Sequence, residues 1–92
     1  VKQVQAETFA LQALSWLVAN DELLPVFLGA SGLSSDDLRA RAGEAEFLVS
    51  VLDFLSMDDA WVIALCADLG HPNTAVQEAR FALPGGEQVH WT

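Results

Sequence analysis

An all-α fold, a compact single-domain bundle of about six short helices, is what this sequence predicts, on three observations. Apolar residues recur at helical spacing in several consecutive segments. Short stretches of Gly, Pro, Asn, Asp and Ser punctuate those segments. No segment carries the alternating, β-branched pattern of a strand. A chain of 92 residues has room for one such domain, near the lower size at which a hydrophobic core holds a fold unaided. The predicted helical domain covers residues 1–86, with a C-terminal tail over 87–92.

The first predicted helix runs from Val4 to Ala19, where Ala10, Leu14, Leu17 and Val18 recur along one face and Phe9, Ala13 and Trp16 adjoin it. Asn20 and Asp21 then offer side-chain oxygens to cap a short second helix carrying Leu23, Leu24, Phe27 and Leu28. Pro25 is tolerable there because it lies near the first turn, and the helix ends by Gly29 to Gly32. The sharpest local signal follows: Ser34 caps, Asp37 answers three residues later, and Leu33 can staple onto Leu38. This third helix ends near Ala42, at Gly43. From Glu44 to Ser56 a fourth carries Leu48, Val51, Leu52 and Leu55 at i, i+3, i+4 and i+7, widened by Phe47 and Phe54, which marks a core helix.

Asp58 and Asp59 stand where negative charge favours the start of a fifth helix, whose stripe is Val62, Leu65, Cys66 and Leu69. With Trp61 and Ile63 added it is apolar on nearly every face, which predicts a central helix enclosed by the others and stopped at Gly70. Pro72 suits the first turn of a sixth helix, with Val76, Ala79 and Leu83 inward, before Pro84-Gly85-Gly86 terminates it.

Four basic residues against thirteen acidic ones give a formal charge of −9. That field repels phosphate backbones and anionic membranes, and it favours a neutral or basic partner. The longest apolar run, Ala60 to Ala67, is far shorter than the roughly 20 residues of a membrane span. Val1-Lys2-Gln3-Val4-Gln5 has neither the apolar core of a signal peptide nor an initiator Met, so the expectation is a cytoplasmic protein trimmed of a few leading residues. The single cysteine, Cys66, has no second one to pair with and reads as a small core hydrophobe.

Two acidic pairs, Asp36-Asp37 and Asp58-Asp59, are of the type that binds a hard cation or shifts one another's ionisation. Both open helices, however, where neighbouring side chains diverge and capping with the helix dipole accounts for them. Cys66 and His71 resemble a thiolate and its base, but the first lies in an apolar stripe and the second at a helix boundary. A structural zinc takes about four ligands, whereas the chain offers one Cys and two His. Phosphate-cradling loops and nucleophile elbows are absent from the sequence. The expectation is therefore no cofactor, no metal, no catalytic residue and no enzymatic activity.

Residues 33–56 resemble a helix-turn-helix, which raises the alternative of a nucleic-acid-associated regulator. The second helix carries Glu44, Glu46 and Asp53 and no Lys or Arg, leaving Arg39 and Arg41 as the local support, so no nucleic-acid partner is expected. Of the three tryptophans, Trp16 and Trp61 are expected in the core with their indole nitrogens turned toward a partner or water. Trp91, beside His90 in the tail, either folds back onto the domain or stays available to another chain. The favoured reading is a non-enzymatic interaction module in which Asp58 and Asp59 form an acidic rim and Trp61, His90 and Trp91 engage a protein partner or a second copy. A small apolar ligand held between helices is the remaining alternative.

Three blocks add a resemblance: Ala10 to Leu17; Phe47 to Leu55 with Met57-Asp58-Asp59-Ala60-Trp61; and Leu83-Pro84-Gly85-Gly86 running to His90-Trp91-Thr92. Together they resemble the bacterial domain-of-unknown-function family 3572, short helical proteins, over essentially the whole chain. The resemblance implies a stand-alone bacterial protein and brings no catalytic or ligand residues to carry over.

Overall fold

Six helices form where the apolar spacing predicts them: α1 (Gln3–Ala19), α2 (Leu23–Ser31), α3 (Ser35–Arg41), α4 (Ala45–Leu55), α5 (Asp59–Leu69) and α6 (Ala75–Ala82). The computed structural model describes residues 3–83, and none of these lies in a strand. Polar side chains set the starts of α2, α3 and α5. The Asn20 side-chain oxygen accepts from the N–H groups of Glu22 and Leu23, both at 3.0 Å, at the head of α2. At α3 the Asp37 N–H donates to Ser34 Oγ at 3.3 Å while the Ser34 N–H donates to the Asp37 carboxylate at 3.0 Å, closing the expected capping box.

The ends of α2 and α5 need a left-handed residue, and glycine supplies it: Gly32 has φ 75° and Gly70 φ 76°. Gly32 N–H returns to the Leu28 carbonyl at 2.9 Å, and at the end of α5 the His71 N–H reaches back to the Cys66 carbonyl at 2.9 Å. These bonds satisfy carbonyls that the last turn leaves open.

The capping box also gives stability a pH dependence. Hydrogen bonds from the Ser34 backbone and then its hydroxyl hold the Asp37 carboxyl below its ordinary value of 3.8. Its folded-state pKa is thus depressed, so its contribution is present above the unfolded-state pKa and is lost as pH falls through the folded-state one. Ser34→Ala should therefore melt below the parent near neutral pH, with the gap narrowing once pH drops below 3.8; a gap independent of pH in thermal melts would contradict this.

Packing is organised around α1 and α4. From α1, Ala6, Phe9, Ala10, Ala13, Leu14 and Leu17 are buried, and its closest associations are with α4 and α6. The three alanines are small enough for neighbouring helices to approach α1 closely. From α4, Phe47, Leu48, Val49, Val51, Leu52, Phe54 and Leu55 are buried. A column of rings ties three helices together. Phe27 of α2 meets Phe54 edge-on with centroids 5.0 Å apart, and Phe54 stacks on Trp61 of α5, also at 5.0 Å. On the surface the Arg80 guanidinium grips the Asp53 carboxylate, linking α6 to α4. The radius of gyration of 12.5 Å matches the roughly 13 Å of a compact chain near 100 residues.

Three expectations are corrected. Val18, predicted inward, is 44% exposed; it lies about 100° around the helix from Leu17, beyond the buried face. Pro72 is not in the first turn of α6 but ahead of it, its carbonyl accepting from the Ala75 N–H at 2.9 Å. Finally, α5 is not the central helix: Leu65 and Cys66 are its buried residues, while Trp61, Val62 and Leu69 are half-buried. Ala60, Ala64 and Ala67 raise its apolar content yet have little side-chain area to bury. The larger Phe and Leu side chains of α4 fill the centre instead.

Candidate functional site

Residues at the start of α5 were expected to form the contact surface. Asp58 caps the helix, its Oδ1 accepting from the Ala60 N–H at 2.8 Å, and Asp58 and Asp59 are both exposed. Ahead of them Met57 is 77% exposed. Behind them Ala60, Ile63, Ala64 and Ala67, all exposed, recur at i, i+3, i+4 and i+7. At about 100° per residue this stripe is diametrically opposite the inner stripe of Val62, Leu65, Cys66 and Leu69. One apolar helix thus has two apolar faces, of which the bundle uses one.

Trp61 lies between those faces, turned onto Phe54. The structure thus leaves Met57, Asp58, Asp59 and Ile63 exposed, while Trp61 fastens α5 to α4. His90 and Trp91 lie outside the described residues. Sequence reasoning missed Ala60, Ile63, Ala64 and Ala67 as a surface, although a second helical series was there to be read within the same eleven residues of α5. Beside Ile63, a hollow of about 300 Å³ opens between the end of α4, the first turns of α5, and α6, with Asp59, Val62 and Val76 in its walls.

A second concavity lies on the other side of the bundle. Between α1 and the α5–α6 connection, a hollow of about 410 Å³ is walled by Val4, Thr8 and Phe9 on one side and His71, Ala75 and Ala79 on the other. Through Thr8 and Gln12 it continues into a shallower trough along Leu11, Trp16 and Leu69. The His71 ring meets Phe9 edge-on at 5.0 Å. The Trp16 indole nitrogen, expected to face a partner or water, instead donates to the Asp68 carboxylate at 2.7 Å, tying α1 to α5.

Residues 3–86 match the family model described as a protein of unknown function, DUF3572. The chain belongs to the DUF3572 family. No curated protein and no solved structure matches it.

For this DUF3572 chain the remaining chemistry is local. Among the described residues, no three His, Cys, Asp or Glu side chains gather as metal ligands would, and no helix is long and apolar enough to cross a membrane. Cys66 is fully buried, and burial pushes its thiol pKa up, away from the thiolate a nucleophile requires. Its backbone carbonyl, not its thiol, meets the His71 N–H. Alkylation of Cys66 by iodoacetamide at mildly alkaline pH should accordingly run at least roughly ten-fold slower in the folded chain than in urea; equal rates, followed by mass spectrometry, would contradict its burial.

Proposed function

We propose that this DUF3572 protein is a non-enzymatic interaction module that docks a helical segment of a protein partner on the outer face of α5. The carrying observation is the unpartnered series Ala60, Ile63, Ala64 and Ala67 with Met57 at its head. Its alanines let a second helix approach closely, and Ile63 and Met57 supply the side-chain area that a contact buries. Charge selects the occupant. Asp58 and Asp59 bound the stripe at one end, so the fitting partner is an amphipathic helix whose apolar stripe is flanked by Lys or Arg at that end. A second copy is a poorer fit, because each chain carries −9 and would bring the same acidic ends to the contact.

The alternative of nucleic-acid binding through α3 and α4 has less support. The solvent side of α4 presents Glu46, Ser50 and Asp53, its other faces are buried, and Arg41 lies 3.6 Å from Glu44. A helix so placed offers acid, not base-reading donors, to a groove.

The test is a titration of the labelled chain with a synthetic amphipathic helix of Leu, Ala and Lys, followed by amide NMR. Saturable, salt-sensitive shifts are expected at Ile63, Ala64 and Ala67. Ile63→Lys, at an exposed site, should weaken binding roughly 30-fold without lowering Tm, as loss of an interface anchor does. Asp58→Asn with Asp59→Asn should mainly slow association and flatten its salt dependence. Shifts centred elsewhere, or binding unaffected by Ile63→Lys, would sink the assignment.

A further inference from the structure

The hollow between α1 and α6 is a gap that small side chains leave. On α6, Ala75 and Ala79 stand about one turn apart and carry nothing beyond a Cβ to fill it. On α1 the facing wall holds Val4, Thr8 and Phe9. The α5–α6 connection adds His71, whose ring meets Phe9 at 84°, so two rings border one corner of the space. Its volume of about 410 Å³ falls within the roughly 300–1,000 Å³ of small-molecule sites.

Charge narrows the choice of ligand. Among the described residues that wall the hollow, Glu78 alone is an Asp, Glu, Lys or Arg. The two ion pairs among the described residues join Arg41 to Glu44 and Arg80 to Asp53, so neither engages Glu78. An anion would meet that carboxylate and the field of a chain of charge −9. A cation is drawn by both, and a ring in its body gains contact with the aromatic corner. We propose that this hollow binds a small aromatic amine in its cationic form, with the ring against Phe9 and His71 and the ammonium on Glu78.

Shape keeps this site separate from the docking face. The outer side of α5 is a convex stripe that fits another helix, whereas the hollow is concave and takes a molecule small enough to be enclosed. Ile63 and Ala64 lie in neither of its walls, so each site can be tested without the other.

Tryptamine is the probe, with 3-ethylindole as its neutral analogue and indole-3-propionate as its anionic one. In amide NMR titrations of the full chain, tryptamine should give saturable shifts at Thr8, Phe9, His71, Ala75 and Glu78 and none at Ile63 or Ala64. It should bind about five-fold more tightly than 3-ethylindole, and indole-3-propionate should bind more weakly than either. Glu78→Gln should erase the preference for tryptamine, while Glu46→Gln, which removes an equal charge on α4, should preserve it. Ala75→Leu, at a half-buried position, should fill the gap and weaken tryptamine at least roughly ten-fold without lowering Tm. No saturation up to about 10 mM tryptamine, shifts centred on α5, or a preference that survives Glu78→Gln would each overturn the assignment. Nuclear Overhauser cross-peaks joining another part of the chain to Ala75 and Ala79 across the hollow would do the same, because the space would then be taken.

Discussion

Leu52→Ala should destabilise the chain by about 2–5 kcal/mol, visible as a fall in Tm of roughly 10–30 °C. Leu52 is fully buried in the middle of α4, the helix that contributes two phenylalanines, three leucines and two valines to the core. Removing its isobutyl group loses transfer free energy and leaves a cavity, because α4 is held against both α1 and α6 and cannot collapse toward either. In a domain this small that is a large share of the whole stability. Leu65→Ala, equally buried but on α5, should cost about 2 kcal/mol, the low end of the same range, since a helix at the edge can settle inward. Urea denaturation of both variants checks the ranking. Parent-like melting of Leu52→Ala, or a larger loss at Leu65, would overturn the assignment of α4 as the centre.

Phe27→Ala should cost about 3–5 kcal/mol, and its effect should be regional. Besides Phe27, α2 buries only Leu23, so the Phe27 ring, held at 6.3 Å from Phe47 and 5.0 Å from Phe54, is the peg that fastens α2 to α4. Amide hydrogen exchange should reveal α2 opening at a fraction of the free energy needed to open α1 or α4. Uniform loss of protection across all helices would mean that α2 unfolds only with the whole domain.

The helices and their caps were legible in the sequence because each is written locally. The capping box of Ser34 and Asp37 needs residues three apart, and the stop at Gly70 needs one residue without a Cβ. The position of α5 was not legible. Apolar content cannot distinguish a helix wrapped on all sides from one with a used and an unused face, and the alanines that tip the count bury little in either case. Which helix is central is decided by side-chain volume across the bundle, where Phe47, Leu48, Leu52, Phe54 and Leu55 outweigh the Ala-rich α5. Of the candidate site, Asp58 and Asp59 stand at the surface as expected, and Trp61 is turned to Phe54. Ile63 is not legible as surface, because an isoleucine within an apolar helix reads as core, yet it is 54% exposed.

The column of Phe27, Phe54 and Trp61 makes the seating of α5 optically visible. Trp61 lies 5.0 Å from Phe54 and 24° from parallel, and Phe54 in turn meets Phe27 at 5.0 Å. The near-ultraviolet circular dichroism of Trp61 is therefore expected to report how α5 sits on α4, changing when the ring stack loosens even while the helices stay formed.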